Sequence, residues 1–348
     1  MQSCMPLDLN KHIKSIVVKI RKIIIAVLAS LVFLIFGSCK NNGVDPNKDD
    51  SDGDSDIKVV GVPVIFETDM TLDVDDVGAL AVLHGLQTEG EVTIIGVCYN
   101  EVHPLARFAI DAINTYYHRG NIPIGLYYKD LHEPDDCDYY SYDNGNDLDN
   151  MARDLTNNTV TSALNLYKQL LSSREDSSVV IISVGFLNNL HDLLKDPDGF
   201  DLVEKKVKLL AVMGGLHDDG FNFVRHNLVE QTQYVIENWP GTLVTTHVGA
   251  DMITGETLTS TTPENNPVRR AYELEWGVGP NRGRSSWDQV TTLYAVFGTK
   301  YYAEDWVGGG SLPNGYTWTF DEGYRGYAAP KNNSQVEQEI ERLMTLAP

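Results

Sequence analysis

The stretch Pro63-Val64-Ile65-Phe66-Glu67-Thr68-Asp69-Met70-Thr71-Leu72-Asp73-Val74-Asp75-Asp76-Val77-Gly78-Ala79-Leu80 decides how the chain is read. Its apolar opening predicts a buried strand over Val62–Phe66. Carboxylates follow at Glu67, Asp69, Asp73, Asp75 and Asp76, and then an apolar helix is predicted over Val77–Leu86. Like charges this crowded repel one another, and each is costly to desolvate without a partner. A bound cation resolves the conflict. Calcium takes about six to eight oxygens at flexible geometry, whereas magnesium keeps more of its water. A helix beginning near Asp75 also turns its positive end toward Asp75 and Asp76. A solvated capping turn explains any single aspartate here, but not the whole set after a strand end.

Outward from this stretch, short β-branched runs alternate with longer amphipathic segments. Further strands are predicted at Val92–Val97, Ile122–Tyr127, Val179–Val184, Val207–Met213 and Leu243–Thr246. Helices are predicted at Leu105–Tyr117, Val160–Leu171, Leu187–Leu194 and Thr232–Asn238. That alternation predicts an α/β fold: a single domain with an open, mostly parallel central sheet flanked by helices, and function at the strand carboxyl ends. No internal repeat is visible, and no linker divides the chain after residue 60. Residues 128–150, rich in Asp, Tyr, Asn and Gly, read as a long loop near the site mouth.

The N-terminus reads as an export signal. Basic residues up to Lys22 precede the apolar run Ile23–Phe36, short for a spanning helix and typical of a signal's core, and Gly37-Ser38-Cys39 follows; an uncleaved anchor is the alternative. Ile35-Phe36-Gly37-Ser38-Cys39 resembles a bacterial lipoprotein box. The expectation is a signal peptide over 1–38, lipidation of Cys39, and a lipid-anchored protein of the bacterial cell envelope, outside the cytoplasm, at the outer membrane or cell surface. Residues 39–60 hold six aspartates and little that is apolar, so they read as an acidic tether. An EF-hand reading fails there, because the glycine and closing glutamate are missing. Residues 61–348 form the expected catalytic domain.

The chain carries 27 basic and 49 acidic residues, a net charge of −22, and five of the basic residues lie in the leader. Such a surface repels phosphate backbones and argues against nucleic-acid partners. Outside the leader and Cys39, only Cys98 and Cys137 occur, which is neither a disulfide framework nor a cysteine zinc site.

Ordered fragments along residues 61–325 resemble the inosine–uridine-preferring nucleoside hydrolase family. That family's first strand ends in Asp-Thr-Asp, and an Asp-Asp pair opens its first helix. This chain has Glu67-Thr68-Asp69 and Asp75-Asp76, with Asp73 in a longer loop. The likeness continues through Gly96-Val97-Cys98-Tyr99-Asn100, Ser183-Val184-Gly185-Phe186-Leu187-Asn188-Asn189, Val212-Met213-Gly214-Gly215 and Ser286-Trp287-Asp288-Gln289. The resemblance implies calcium-dependent hydrolysis of the N-glycosidic bond of a ribonucleoside or related N-riboside. It makes Asp69 both a calcium ligand and the base acting on its water. Asp76, the Val184 carbonyl and Asp288 complete the metal set. Asp75, Asn100 and Asn222 become substrate contacts, with Asn227 competing for the place of Asn222, and Trp287 is a candidate to stack on the base. The resemblance leaves a homo-oligomer open.

The chain also departs from that pattern. Glu67 stands for aspartate, Met70-Thr71 for Pro-Gly, and Phe186 for proline. Gly220 stands where a glutamate contacts the ribose 5′-hydroxyl, and Trp287 where a histidine protonates the leaving base. His103 and His217 are the candidate replacement acids. Tyr316, Trp318, Tyr324 and Tyr327 are read as terminal packing rather than a pocket wall. A haloacid-dehalogenase-like phosphatase is disfavoured, because Glu67 is a poor substitute for its aspartyl nucleophile. A non-catalytic surface lipoprotein that binds nucleosides or sugars is the alternative function.

Overall fold

The computed structural model describes residues 60–134, 160–217, 221–275 and 277–348. The expected signal peptide, tether, Cys39, Cys137, Gly220 and most of the 128–150 loop lie outside the described residues. Among the described residues, no helix is long and apolar enough to cross a membrane.

Nine strands form one sheet among the described residues. In chain order they are β1 (Val62–Thr68), β2 (Val92–Tyr99), β3 (Ile124–Leu126), β4 (Thr161–Ser162), β5 (Val179–Ser183), β6 (Val207–Met213), β7 (Leu243–Thr246), β10 (Tyr302–Asp305) and β13 (Arg325–Pro330). Two small antiparallel pairs lie apart from it, β8 (Ile253–Thr254) with β9 (Arg284–Ser285) and β11 (Gly309–Ser311) with β12 (Thr317–Thr319). The sheet order is β10-β13-β7-β6-β5-β1-β2-β3-β4, parallel throughout except for β10 against β13. The expected open, mostly parallel sheet is therefore observed.

The helices are α1 (Asp75–Thr88), α2 (Ala106–Tyr116), α3 (Ala163–Ser172), α4 (Asn188–Lys195), α5 (Pro197–Lys206), α6 (Val229–Asn238), α7 (Leu258–Thr261), α8 (Pro267–Leu274), α9 (Trp287–Phe297) and α10 (Asn333–Met344). Successive strand residues face opposite sides, which sorts the core into two layers. Val64 and Phe66 pack with α1, α9 and α10, while Ile65 packs with α3, α4 and α6. A strand covered on both faces reads as an unbroken apolar run, as β1 does.

Several boundaries differ from expectation: β1 and β2 each run two residues further, α6 begins three residues earlier at Val229, and three other differences have a local cause or bear on the site. The first helix begins at Asp75, so Asp75 and Asp76 occupy its first turn. The third strand shortens to Ile124–Leu126. The helix expected from Val160 starts at Ala163, because Ser162 stays extended and its Oγ accepts from the Asn165 amide at 3.2 Å. The helices α5, α8, α9 and α10, and the strands after residue 300, carried no sequence expectation.

The chain reverses its winding at β1, which pairs with β2 on one side and β5 on the other. Crevices outside the carboxyl ends of strands at such a switch point are where open α/β sheets hold ligands. Here the register sets Thr68 beside Tyr99 and Glu67 beside Ser183. Asp69, Asn100 and Val184 therefore emerge together at one edge.

Candidate metal and substrate site

The first turn of α1 supplies Asp75 and Asp76, and the first turn of α9 supplies Asp288. The two helices pack against each other, with Gly78 at the crossing. A Cβ on Gly78 would lie 2.5 Å from the Tyr272 hydroxyl and would also collide with the Gln289 amide. Gln289 Nε2 donates to that hydroxyl at 2.9 Å. The missing side chain is what lets α9 approach closely enough to bring Asp288 to α1.

The result is a trio of buried carboxylates. Asp75, Asp76 and Asp288 each offer an oxygen, and these oxygens lie within 4.8 Å of one another. Asp69 lies at the same floor, 6% exposed, with the trio at 2–4%. Burial raises the pKa of Asp75, Asp76 and Asp288 well above the ordinary carboxylate range. Repulsion from Asp73 and Asp69 adds to this at Asp75, where Arg284 opposes it; repulsion from Asp69 and Asp75 acts on Asp76, and repulsion from Asp75, Asp76 and Asp69 on Asp288. Local hydrogen bonds offset part of the cost: Thr68 Oγ1 donates to Asp76, and the Asp288 backbone amide to Asp75. Asp288 Oδ1 is buried without a hydrogen-bond partner. An orphaned carboxylate oxygen facing two other carboxylates fits a hard divalent cation, which prefers oxygen donors.

The remaining expected residues fall around this floor. Asn222 Nδ2 donates to the Val184 carbonyl at 2.6 Å and to the Met213 carbonyl at 3.2 Å. Its Oδ1 is buried and unpartnered. Asn222 and Val184 both line the cleft, whereas Asn227 does not. Asn100 sits beneath the floor, with Nδ2 donating to the Phe186 carbonyl at 2.8 Å and to Glu67 Oε1 at 3.3 Å. Its Oδ1 is also unpartnered. Gly185 fills the gap between them: a Cβ there would lie 2.5 Å from the Asp69 amide, 2.6 Å from Asn100 Oδ1 and 2.7 Å from Asp69 Oδ1. The tightest carboxylate trio thus contains Asp75 in addition to the expected Asp76 and Asp288, with Asp69 alongside.

Glu67 turns away from the cleft. Its fully buried carboxyl accepts from Asn189 Nδ2 at 2.6 Å, from the Tyr167 hydroxyl and from Asn100. Burial outweighs these bonds and pushes its pKa up to about 8. The extra methylene relative to aspartate lets the carboxyl reach this pocket behind the strand. Met70 and Thr71, in place of Pro-Gly, are buried, and Thr71 Oγ1 lies 2.6 Å from the Tyr99 hydroxyl.

Above the floor opens a cleft of about 900 Å³. One wall holds a clasp between distant loops: Arg284 Nε donates to Asp73 Oδ1 at 2.9 Å, and Nη2 pairs with Oδ2. The guanidinium lies 5.4 Å from the Trp287 ring centroid. Trp287, Phe221, Met213, Leu72 and His247 are among the residues that line the cleft together with the carboxylates. Neither His103 nor His217 lines this cleft. His103 Nδ1 accepts from the Leu105 amide, and His217 Nδ1 lies 2.9 Å from Ser311 Oγ. Sequence reasoning missed His247, although its place directly after β7 was a usable signal. Trp318 and Tyr316 pack in the second core layer, as terminal packing requires.

No protein-family model and no curated protein matches the sequence. The fold is shared with solved nucleoside hydrolases. An inosine–guanosine nucleoside hydrolase superposes with a TM-score of 0.64 at 15% identity, over 82% of this chain and 99% of that one. A plant nucleoside hydrolase, the PpNRh1 enzyme, gives 0.60 at 16%, over 82% and 99%. The type III effector protein XopQ, complexed with adenosine diphosphate ribose, gives 0.59 at 11%, over 83% and 94%. At these identities the shared property is the fold.

Proposed function

We propose that this chain is a calcium-dependent hydrolase of N-ribosidic bonds, releasing ribose and free base from a nucleoside or related N-riboside. One observation carries the reading. In a fold shared with nucleoside hydrolases, three buried carboxylates converge at the switch point of the sheet, and one of their oxygens lacks a partner. Asp69, Asp76, Asp288 and the Val184 carbonyl would hold the ion, with Asp75 close enough to join them or to receive a ribose hydroxyl. A bound divalent cation lowers the pKa of water and orients it.

The protein's own groups supply the rest. Asp69, beside the trio at the cleft floor, takes the proton from the attacking water. Fixed negative charge from Asp75 and Asp76 favours the oxocarbenium-like state through which glycosidic bonds break. Asn222 Oδ1 is oriented by the bonds of its own amide nitrogen to Val184 and Met213, leaving an acceptor for a sugar hydroxyl. The apolar upper lining, with Trp287, excludes water around the base. The expected leader and Cys39 extend the proposal to location: a lipid-anchored, extracytoplasmic protein of the bacterial envelope.

The test is incubation of purified protein with a panel of purine and pyrimidine nucleosides and ADP-ribose, with calcium or with chelator. Free base is measured by chromatography. Calcium-dependent release supports the reading, whereas binding without turnover across the panel replaces it with a non-catalytic receptor. The substitution of Trp287 for histidine is the observation favouring that second reading.

A further inference from the structure

We propose that His247 is the proton donor to the departing base, an inference that rests on the N-ribosidase reading above. His247 is the first residue after β7, whose last residue, Thr246, pairs with Met213 at the carboxyl end of β6. It lines the same cleft as Asp69, Asp288 and Trp287.

The loop that carries it is pinned to α9. The Ser286 and Met252 amides donate to the Gly249 carbonyl at 3.0 and 3.1 Å. Gly249 itself has φ of 146°, and a Cβ there would lie 2.6 Å from the Trp287 amide nitrogen. His247 and Trp287 are thereby held on neighbouring walls of one rim.

Depth in the cleft separates the roles. Asp69, Asp75, Asp76 and Asp288 are buried at the floor, whereas His247 is exposed. A riboside whose hydroxyls reach the floor carboxylates directs its base toward the rim. There the bond between C1′ and nitrogen needs an acid, because an unprotonated base is a poor leaving group. Imidazole is the side chain whose ordinary pKa lies near neutrality. The other described donors on these walls are committed or unsuitable. Arg284 is bound to Asp73 and does not give up its proton, Ser285 Oγ donates to the Ala250 carbonyl at 2.8 Å, and the Trp287 indole N–H is not an acid at neutral pH.

The step balances without a further reactant. The C1′–N bond breaks with its electron pair passing to the base nitrogen, and the imidazolium N–H proton passes to the base. Water adds its oxygen to C1′ and gives one proton to Asp69. Solvent then carries that proton away and recharges the exposed imidazole. The sum is riboside plus water giving ribose plus base.

The experiment compares calcium-loaded wild type with His247→Gln on inosine, uridine and 4-nitrophenyl β-D-ribofuranoside. Nitrophenolate departs without a proton, so only the natural substrates need the acid. The expected result is a loss of roughly 100-fold or more in kcat/KM on the nucleosides and a change under about 3-fold on the nitrophenyl riboside, with calcium affinity and thermal midpoint kept. Equal losses on both kinds of substrate, or no loss on nucleosides, overturn the assignment of His247 while leaving the N-ribosidase reading intact. A wild type that cleaves none of the three overturns that reading, and this one with it.

Discussion

A methyl group at position 185 has nowhere to go, since Asp69 and Asn100 occupy the space on either side. Gly185→Ala is therefore expected to cost about 1–3 kcal/mol by overpacking, read from urea unfolding, and to weaken calcium binding because Asp69 is the group displaced. Asp288→Asn should act differently. It removes charge from a repelling trio, so the chelated variant should unfold at higher temperature than chelated wild type. Calcium affinity by calorimetry should meanwhile fall by at least the roughly 10–100-fold that even outer ligand partners typically command. Glu67 gives a pH signature. Its pKa rises from 4.5 to about 8 on folding, so its contribution is full below 4.5 and is lost as pH rises through 8. In saturating calcium, unfolding free energy should decline between pH 5 and 8, and Glu67→Gln should make that slope shallower. A flat wild-type profile would contradict the burial argument. The cluster from Glu67 to Asp76 was legible because its members are neighbours in sequence and their repulsion is visible in one line of text. Asp288 was reached only through resemblance, since no local pattern ties it to Asp76. His247 was missed because a lone histidine carries no periodicity; only its place after a strand end marks it.

Among elements, the crossing of α1 and α9 is the decisive contact. Alanine is a better helix former than glycine by about 1 kcal/mol, so propensity alone predicts that Gly78→Ala stabilises α1. The collision with Tyr272 and Gln289 predicts the opposite sign. Thermal unfolding decides it: the expected outcome is a lower midpoint together with weaker calcium binding, because separating the helices carries Asp288 away from Asp75. The six strands read from sequence are apolar, largely β-branched runs, and β1, β2, β5 and β7 are buried almost throughout. By contrast, β13 reads Arg-Gly-Tyr-Ala-Ala-Pro, which has no strand signature of its own. It is held by pairing with β7 and by Arg325, whose guanidinium donates to the carbonyls of Ile236, Trp239 and Gly241. Long-range partners of that kind leave no trace in a sequence window. The helix α5, with mixed polarity and burial only at Gly199 and Val203, gives an equally faint signal.

At the scale of the whole molecule, the expected lipid anchor has its own test. Expressed in a bacterial host, the wild type should partition with membranes, and Cys39→Ala should move the protein to the soluble fraction without changing nucleoside hydrolysis. The floor of the cleft joins residues 69–76 to residue 288, so the binding site comes into being only when α9, from the last third of the chain, has docked onto the first helix. An ion held there acts as a reversible staple on the completed fold, and its stabilising effect grows with the logarithm of its free concentration. A chain synthesised where calcium is scarce and delivered to a calcium-rich exterior would therefore tighten on arrival, with its surroundings supplying the final fastening.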